Sequence, residues 1–213
     1  SKRSNGKLQY FRNSNGDGSS FASWTLSGSN GIADLSSIAV ADVDGDGDQD
    51  LGYTTSTGYV YLRLTNTTSG STSGTAYSVD QNVEGAAALR LADVDGDGLI
   101  DIVATSFEAD RLTWWSQIPG SSPTWVEHTV DQQIDGALAT AVVDLDGDGD
   151  QELLAASSLA GSIQWWDNEG GYAAQWNKQS LGNQGSMYSV GAADLDGDGD
   201  LDYFSSGSAN GRK

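Results

Sequence analysis

No cysteine occurs in the chain, which excludes a disulfide framework and any thiol chemistry. Only one histidine is present, so zinc sites built from imidazole and thiolate are excluded as well. Positive charge is scarce: 10 Lys and Arg stand against 30 Asp and Glu, a formal net charge of −20. Such a balance argues against nucleic acid and anionic membrane surfaces as partners. No run is long and apolar enough to span a membrane as a helix. Both prolines fall in one short stretch, "IPGSSP", and no segment carries a sustained helical period. What remains is rich in glycine, serine, aspartate, β-branched residues and aromatics, the composition of short strands joined by turns.

The acid is concentrated. "DVDGDGDQD" at 42–50 recurs as "DVDGDGLID" at 93–101, "DLDGDGDQE" at 144–152 and "DLDGDGDLD" at 194–202, with spacings of 51, 51 and 50 residues. These four stretches hold 19 of the 30 acids, and the other 11 nearly balance the 10 basic residues. One divalent cation per stretch would bring the formal charge to −12. A fixed period of this length is the mark of a repeat architecture. Each period holds four short segments of strand character, here termed A to D. Segment A precedes the Asp stretch ("SSIAVAD", "AALRLAD", "ATAVVD", "YSVGAAD") and segment B follows it ("DLGYTTS", "DIVATSF", "ELLAASS", "DYFSSGS"). Segment C alternates with aromatics ("GYVYLRL", "DRLTWWS", "GSIQWWD"), and segment D carries one aromatic, Tyr77, Trp125 or Trp176.

Four strands per period, repeated radially, predict an all-β fold, a single β-propeller domain of about four four-stranded blades. Its repeats are expected over 36–80, 86–131, 137–181 and 188–213 plus 6–28. The chain enters the pattern at segment C ("GKLQYFRN", 6–13) and D ("SFASWTLSG", 20–28), and its last period supplies A and B. The expected arrangement is a last blade closed by the N-terminal C and D strands with the C-terminal A and B strands. Closure would remove the exposed edges that recruit other chains. The alternative is a four-blade fragment of a larger propeller.

The stretches follow D-x-D-G-D-G-x-x-[DE]. When such a loop curls, acids at positions 1, 3 and 5 point inward, and Gly at 4 and 6 permits the tight backbone. Position 7 offers a carbonyl, and the acid at 9 closes an all-oxygen shell suited to a hard cation. Calcium fits that large, flexible shell better than magnesium, which keeps its water. The expected ligand sets are Asp42, Asp44, Asp46 and Asp50 with the Asp48 carbonyl, then Asp93, Asp95, Asp97 and Asp101 with the Leu99 carbonyl. The third is Asp144, Asp146, Asp148 and Glu152 with the Asp150 carbonyl, and the fourth Asp194, Asp196, Asp198 and Asp202 with the Asp200 carbonyl. The aliphatic Leu99 at position 7 is compatible with a carbonyl ligand. A polar Asp-Gly turn would account for one such loop, but not for four in register. An EF-hand is excluded, because position 12 is Tyr53, Ala104, Ala155 or Ser205 rather than an acid, and the flanks read as strands.

These loops, set in blades of about 50 residues, resemble the FG-GAP/VCBS repeats of integrin α-subunit propellers and of many secreted microbial proteins. The resemblance runs over essentially the whole chain, and its best-known members imply that the larger propeller of the alternative reading would have about seven blades. It implies about four structural Ca2+ ions, one in the A–B loop of each blade, on the face opposite the usual ligand-binding loops. It also implies an extracellular or cell-surface setting and a non-enzymatic role in adhesion, recognition or assembly.

Trp114/Trp115 and Trp165/Trp166 are expected to pack between blades, since strand neighbours face opposite sides. Trp24, Trp125 and Trp176, on the outermost strand, are the candidate glycan contacts. His128 is expected to be a surface residue. Glu84 and Asp135, each followed by glycine, are read as turn residues. Asn66-Thr67-Thr68 is a glycosylation sequon in a Ser/Thr/Gly tract read as a flexible loop. "NSNGDGSS" at 13–20 imitates the acidic loops but has Phe21 at its ninth position, and is read as a turn. The expected partner is a glycan, a protein or another copy of the chain. A polysaccharide-active enzyme is the alternative, short of material with only Arg63, Arg90, Arg111 and Lys178 as basic residues away from the ends.

Overall fold

A computed structural model describes residues 8–25, 34–68, 71–120, 122–170, 175–183 and 185–208. The described secondary structure is all β. Three antiparallel sheets run in simple meander order. The first is β3 (Leu35–Ala41), β4 (Asp50–Thr55), β5 (Val60–Thr68) and β6 (Ser71–Asp80). The second is β7 (Ala86–Ala92), β8 (Asp101–Ser106), β9 (Arg111–Ile118) and β10 (Thr124–Asp131). The third is β11 (Ala137–Val143), β12 (Glu152–Ser157), β13 (Ser162–Asn168) and β14 (Trp176–Asn183). Two further sheets have two strands each: β1 (Gln9–Asn13) with β2 (Phe21–Thr25), and β15 (Ser186–Ala193) with β16 (Asp202–Ser208). The strands fall on the expected A to D segments, with β5 and β6 extending beyond theirs, and the sheets are the blades of a propeller-like fold. The N-terminal C and D strands and the C-terminal A and B strands form separate two-stranded sheets, and among the described residues no pairing between β1 and β16 joins them into the expected closed blade. Residues 6–7 and 26–28 of the expected C and D segments, and the side chain of Trp24, lie outside the described part.

The A–B ladder carries a register shift at the same place in every blade, at Leu35/Ser37, Ala86/Ala88, Ala137/Ala139 and Met187/Ser189. An irregularity of this kind increases local twist, so the repeat preserves blade shape as well as sequence. The inner strands pack on one another in chain order, β3 on β7, β7 on β11 and β11 on β15.

The core lies between blades. Strands β8 and β12 are buried along their whole length. Trp115 joins Val60 and Val83 of the first blade to Leu89 and Ile102 of the second. Its neighbour Trp114 points the other way, into Leu153, Ala155 and Trp166 of the third blade. The tryptophan pair therefore ties one blade to both neighbours, as strand alternation requires. Trp176 packs on that same cluster, edge-on to Trp114, and Trp125 packs against the Trp115 cluster. His128 differs from its expected surface role: it is half-buried, stacks on Trp114 at 4.4 Å and shares a 2.9 Å hydrogen bond with Ser116. The Ser/Thr/Gly tract also differs, since β5 and β6 run through it as a long hairpin, placing Asn66 opposite Ser73 in the ladder.

Glu84 and Asp135 sit in the turns before β7 and β11, and their carbonyls accept hydrogen bonds from Ser106 and Ser157. Gly85 has φ +70°, and a Cβ there would lie 2.6 Å from the Glu108 nitrogen. Left-handed backbone and close approach both demand glycine. Gly85→Ala is expected to lower stability by about 1–2 kcal/mol, read as a shift of the urea midpoint at unchanged slope.

Candidate metal centres

Each acidic loop joins strand A to strand B and is curled by its own side chains. In the first loop the N–H of Gly47 donates to Asp42 Oδ2 at 3.0 Å, that of Asp46 to Asp44 Oδ1 at 3.2 Å, and that of Asp48 to Asp46 Oδ1 at 2.8 Å. The other three repeat the set, with Asp93, Asp144 and Asp194 accepting from Gly98, Gly149 and Gly199. Gly96 and Gly98 hold φ +72° and +87°, the backbone that lets the chain turn inside its own carboxylates. The turn at 13–20 makes a related curl, with Gly16 and Gly18 donating to Asn13 and Ser19 to Asp17. Curling therefore does not require a ring of acids.

What distinguishes the four loops is the gathering of acids. Oxygens of Asp42, Asp44 and Asp50 lie within 4.8 Å of one another, as do those of Asp93, Asp95 and Asp101, of Asp144, Asp146 and Glu152, and of Asp194, Asp196 and Asp202. Positions 1, 3 and 9 thus converge as expected. Position 5 (Asp46, Asp97, Asp148, Asp198) is not part of these groups: one oxygen of each accepts the N–H of position 7. Among the described residues, position 7 contributes no side chain to these groups.

The ninth acid is the keystone, and the sequence did not reveal how. Asp50, Asp101 and Glu152 are fully buried. Asp101 Oδ2 accepts the N–H of Val94 at 3.0 Å while Oδ1 accepts that of Gln117 at 2.8 Å, so one side chain ties the loop to strand C. Asp50 does the same with Val43 at 2.9 Å and Thr65 at 2.7 Å. Glu152 has one more methylene: Oε2 takes the N–H of Leu145 at 2.5 Å, and Oε1 is buried without a partner. Asn168, 2 % exposed, stitches this region to the previous blade, its Nδ2 donating to Val94 O at 3.0 Å and to Gln151 O at 3.3 Å. Asp202 reaches Leu195 at 3.2 Å, and its whole cluster is exposed.

Burial raises the pKa of Asp50, Asp101 and Glu152, since a carboxylate taken from water is penalised. Asp101 is pushed up to about 6, against the backbone N–H groups of Gln117 and Val94, which favour its charge. Asp95 is raised too, by burial and then by Asp97. Orphaned buried oxygens occur on Asp42, Asp93 and Glu152, one in each of the first three clusters. A hard divalent cation fits these groups, because the donors are all oxygen and the unpartnered atoms belong to the converging side chains.

Between loops one and two opens a groove of about 470 Å³, lined by Asp42, Asp44, Tyr77, Leu99, Gln117 and Pro119 among others. No helix among the described residues is long and apolar enough to cross a membrane. Compared with known proteins, the chain matches the model of an FG-GAP-like repeat twice, over residues 93–155 and 144–205. The two spans together cover just over half of the chain and take in the second, third and fourth acidic loops. No curated protein matches it.

Proposed function

The chain belongs to the FG-GAP-like repeat family, and from that premise we propose that it is a calcium-binding, non-enzymatic recognition module that works outside the cell. The observation that carries this reading is the fourfold recurrence of one carboxylate group in register, three times around a fully buried ninth acid. Calcium is the cation that accepts so large an oxygen shell, and extracellular modules of this kind bind it at roughly 10⁻⁴–10⁻³ M. Asp42, Asp44 and Asp50, and their counterparts, would hold the ion. When bound, it would supply positive charge that offsets the repulsion among the gathered carboxylates, while the chain's own part is to fix the loop against strands B and C. Magnesium would hold fewer of these oxygens, keeping water in their place.

A glycan is the ligand class that suits the groove between loops one and two, beside the metal loops rather than on the opposite face that the resemblance implies, where Tyr77 offers an aromatic wall beside the carboxylates of loop one. Recognition suits the basic residues better than turnover does. Arg111 pairs with Glu127 at 3.5 Å, and Lys178 pairs with Asp131 at 2.6 Å and lies over the Trp166 ring. These cations serve the scaffold. A glycan array probed in millimolar calcium tests the reading. Calcium-dependent binding weakened about tenfold by Tyr77→Ala is the expected outcome. Release of unsaturated products from acidic polysaccharides, followed by ultraviolet absorbance, would replace it with an enzyme.

A further inference from the structure

One interface recurs along this chain and is left uncovered at both ends of the described array. Strand A of each blade lies over strand B of the blade before it. Leu89 and Leu91 of β7 cover Gly52 of β4, so closely that a Cβ there would meet Leu89 at 2.8 Å and Leu91 at 3.2 Å. One period earlier the same two positions on β3 are Ile38 and Val40, and these are 50 % and 58 % exposed. Three periods after Gly52 the same position is Phe204 on β16, 49 % exposed beside an exposed Tyr203. The strand types are complementary in the same way. β15–β16 is an A–B pair and β1–β2 a C–D pair, and among the described residues neither β16 nor β1 has a second strand neighbour. Phe11, at the position where the second and third blades carry buried Trp115 and Trp166 and the first carries Arg63, is 58 % exposed. The chain of inner-strand packing runs β3, β7, β11, β15, and β15 makes no comparable packing with β3.

We propose that these two faces meet between copies of this chain, head to tail. Strand β16 of one protomer pairs antiparallel with β1 of the next, completing a four-stranded blade across the contact. Ile38 and Val40 of the second protomer then cover Phe204 of the first. Such a contact is heterologous, each copy giving a different face, and it satisfies the open strand edges by strand addition. The register follows from the intact blades. Ile102 faces Trp115 and Leu153 faces Trp166, which puts Tyr203 opposite Phe11. Val103 faces Trp114 and Ala104 faces Thr113, which puts Phe204 opposite Tyr10 and Ser205 opposite Gln9. Arg12 falls opposite Asp202, basic against acidic. A consequence that rests on the metal reading, as the contact itself does not, is that site four gains the N–H of Asn13 for Asp202, as Asp50 has Thr65 and Asp101 has Gln117.

The absence of native cysteine makes the test clean. Ser205→Cys and Gln9→Cys are made in separate full-length chains, mixed in calcium and oxidised, and the unmodified chain is sized by light scattering. The expected result is a disulfide-linked pair containing one of each chain, an oligomer for the unmodified protein, and a monomer of unchanged circular dichroism for Phe204→Lys. A monomeric unmodified protein with no mixed disulfide overturns the proposal. So does a chain carrying both cysteines that links only within itself, which would mean that its own ends close the blade. Because the same sizing is run after metal removal, loss of folding without cation is separated from loss of the contact.

Discussion

Removing calcium is expected to lower the melting midpoint of the protein by about 8 °C or more. A ligand that binds only the folded state stabilises it by RT ln(1 + [L]/Kd). At 10 mM calcium and the weak affinities typical of extracellular modules, that is roughly 1.4–2.7 kcal/mol for each site. Three sites with buried ninth acids then contribute on the order of 4–8 kcal/mol, and a domain of this length moves about 2–4 °C per kcal/mol. The metal-free state carries the opposite burden. Three acids converge within 4.8 Å at each site, and the ninth, except Asp202, has lost its water. The effect should be uneven along the chain. Asp50 and Asp101 hold strand C through Thr65 and Gln117, so the first two blades lose loop and ladder together. The exposed fourth cluster, on a two-stranded sheet, has least to lose. Calorimetry of dialysed protein with and without calcium, alongside hydrogen exchange at Thr65 and Gln117, measures both. An unchanged midpoint in excess chelator would sink the assignment of these loops as structural metal sites.

The reach of the sequence follows the distance over which a pattern acts. The loops were legible because all their determinants lie within nine residues, and the fold was legible because those loops recur at an even period between strands of alternating character. Trp114 and Trp115 could be assigned to the core because strand alternation sends neighbours to opposite faces wherever the blade sits. The link from Asp101 to Gln117 was not legible. It joins residues 16 apart through a ladder register that no local pattern states. Asn168, reaching Val94 from 74 residues away, was invisible for the same reason. The Ser/Thr/Gly tract around Asn66 misled in the other direction: small polar residues read as loop, yet ladder pairing carries β5 and β6 through them. His128 reads as an isolated polar residue until the cross-strand register sets it on Trp114.

The pH dependence of stability should change sign with the metal. Asp101 has an ordinary carboxyl value of 3.8 when unfolded and about 6 when folded, burial being the main cause and the N–H of Gln117 and Val94 acting against it. The metal-free folded state therefore takes up a proton at a pH where the unfolded chain has already lost it. By linkage, stability falls as pH rises from about 4 to about 6, and the cost, roughly 3 kcal/mol from this group, is complete above that window. Asp50 and Glu152 are raised by burial too and add to the same slope. Calcium reverses the slope, because a proton and a cation compete for the same oxygens and the carboxylates must be ionised to bind. Melting curves of cation-free protein are thus expected to shift upward between pH 7.5 and pH 5, by about 3–6 °C from Asp101 alone. The same curves in 10 mM calcium should shift downward. Asp101→Asn cannot ionise, so it should remove the Asp101 share of the metal-free slope and weaken calcium binding at site two while leaving site four unchanged. Parallel slopes with and without calcium would mean that the buried acids do not hold the ion.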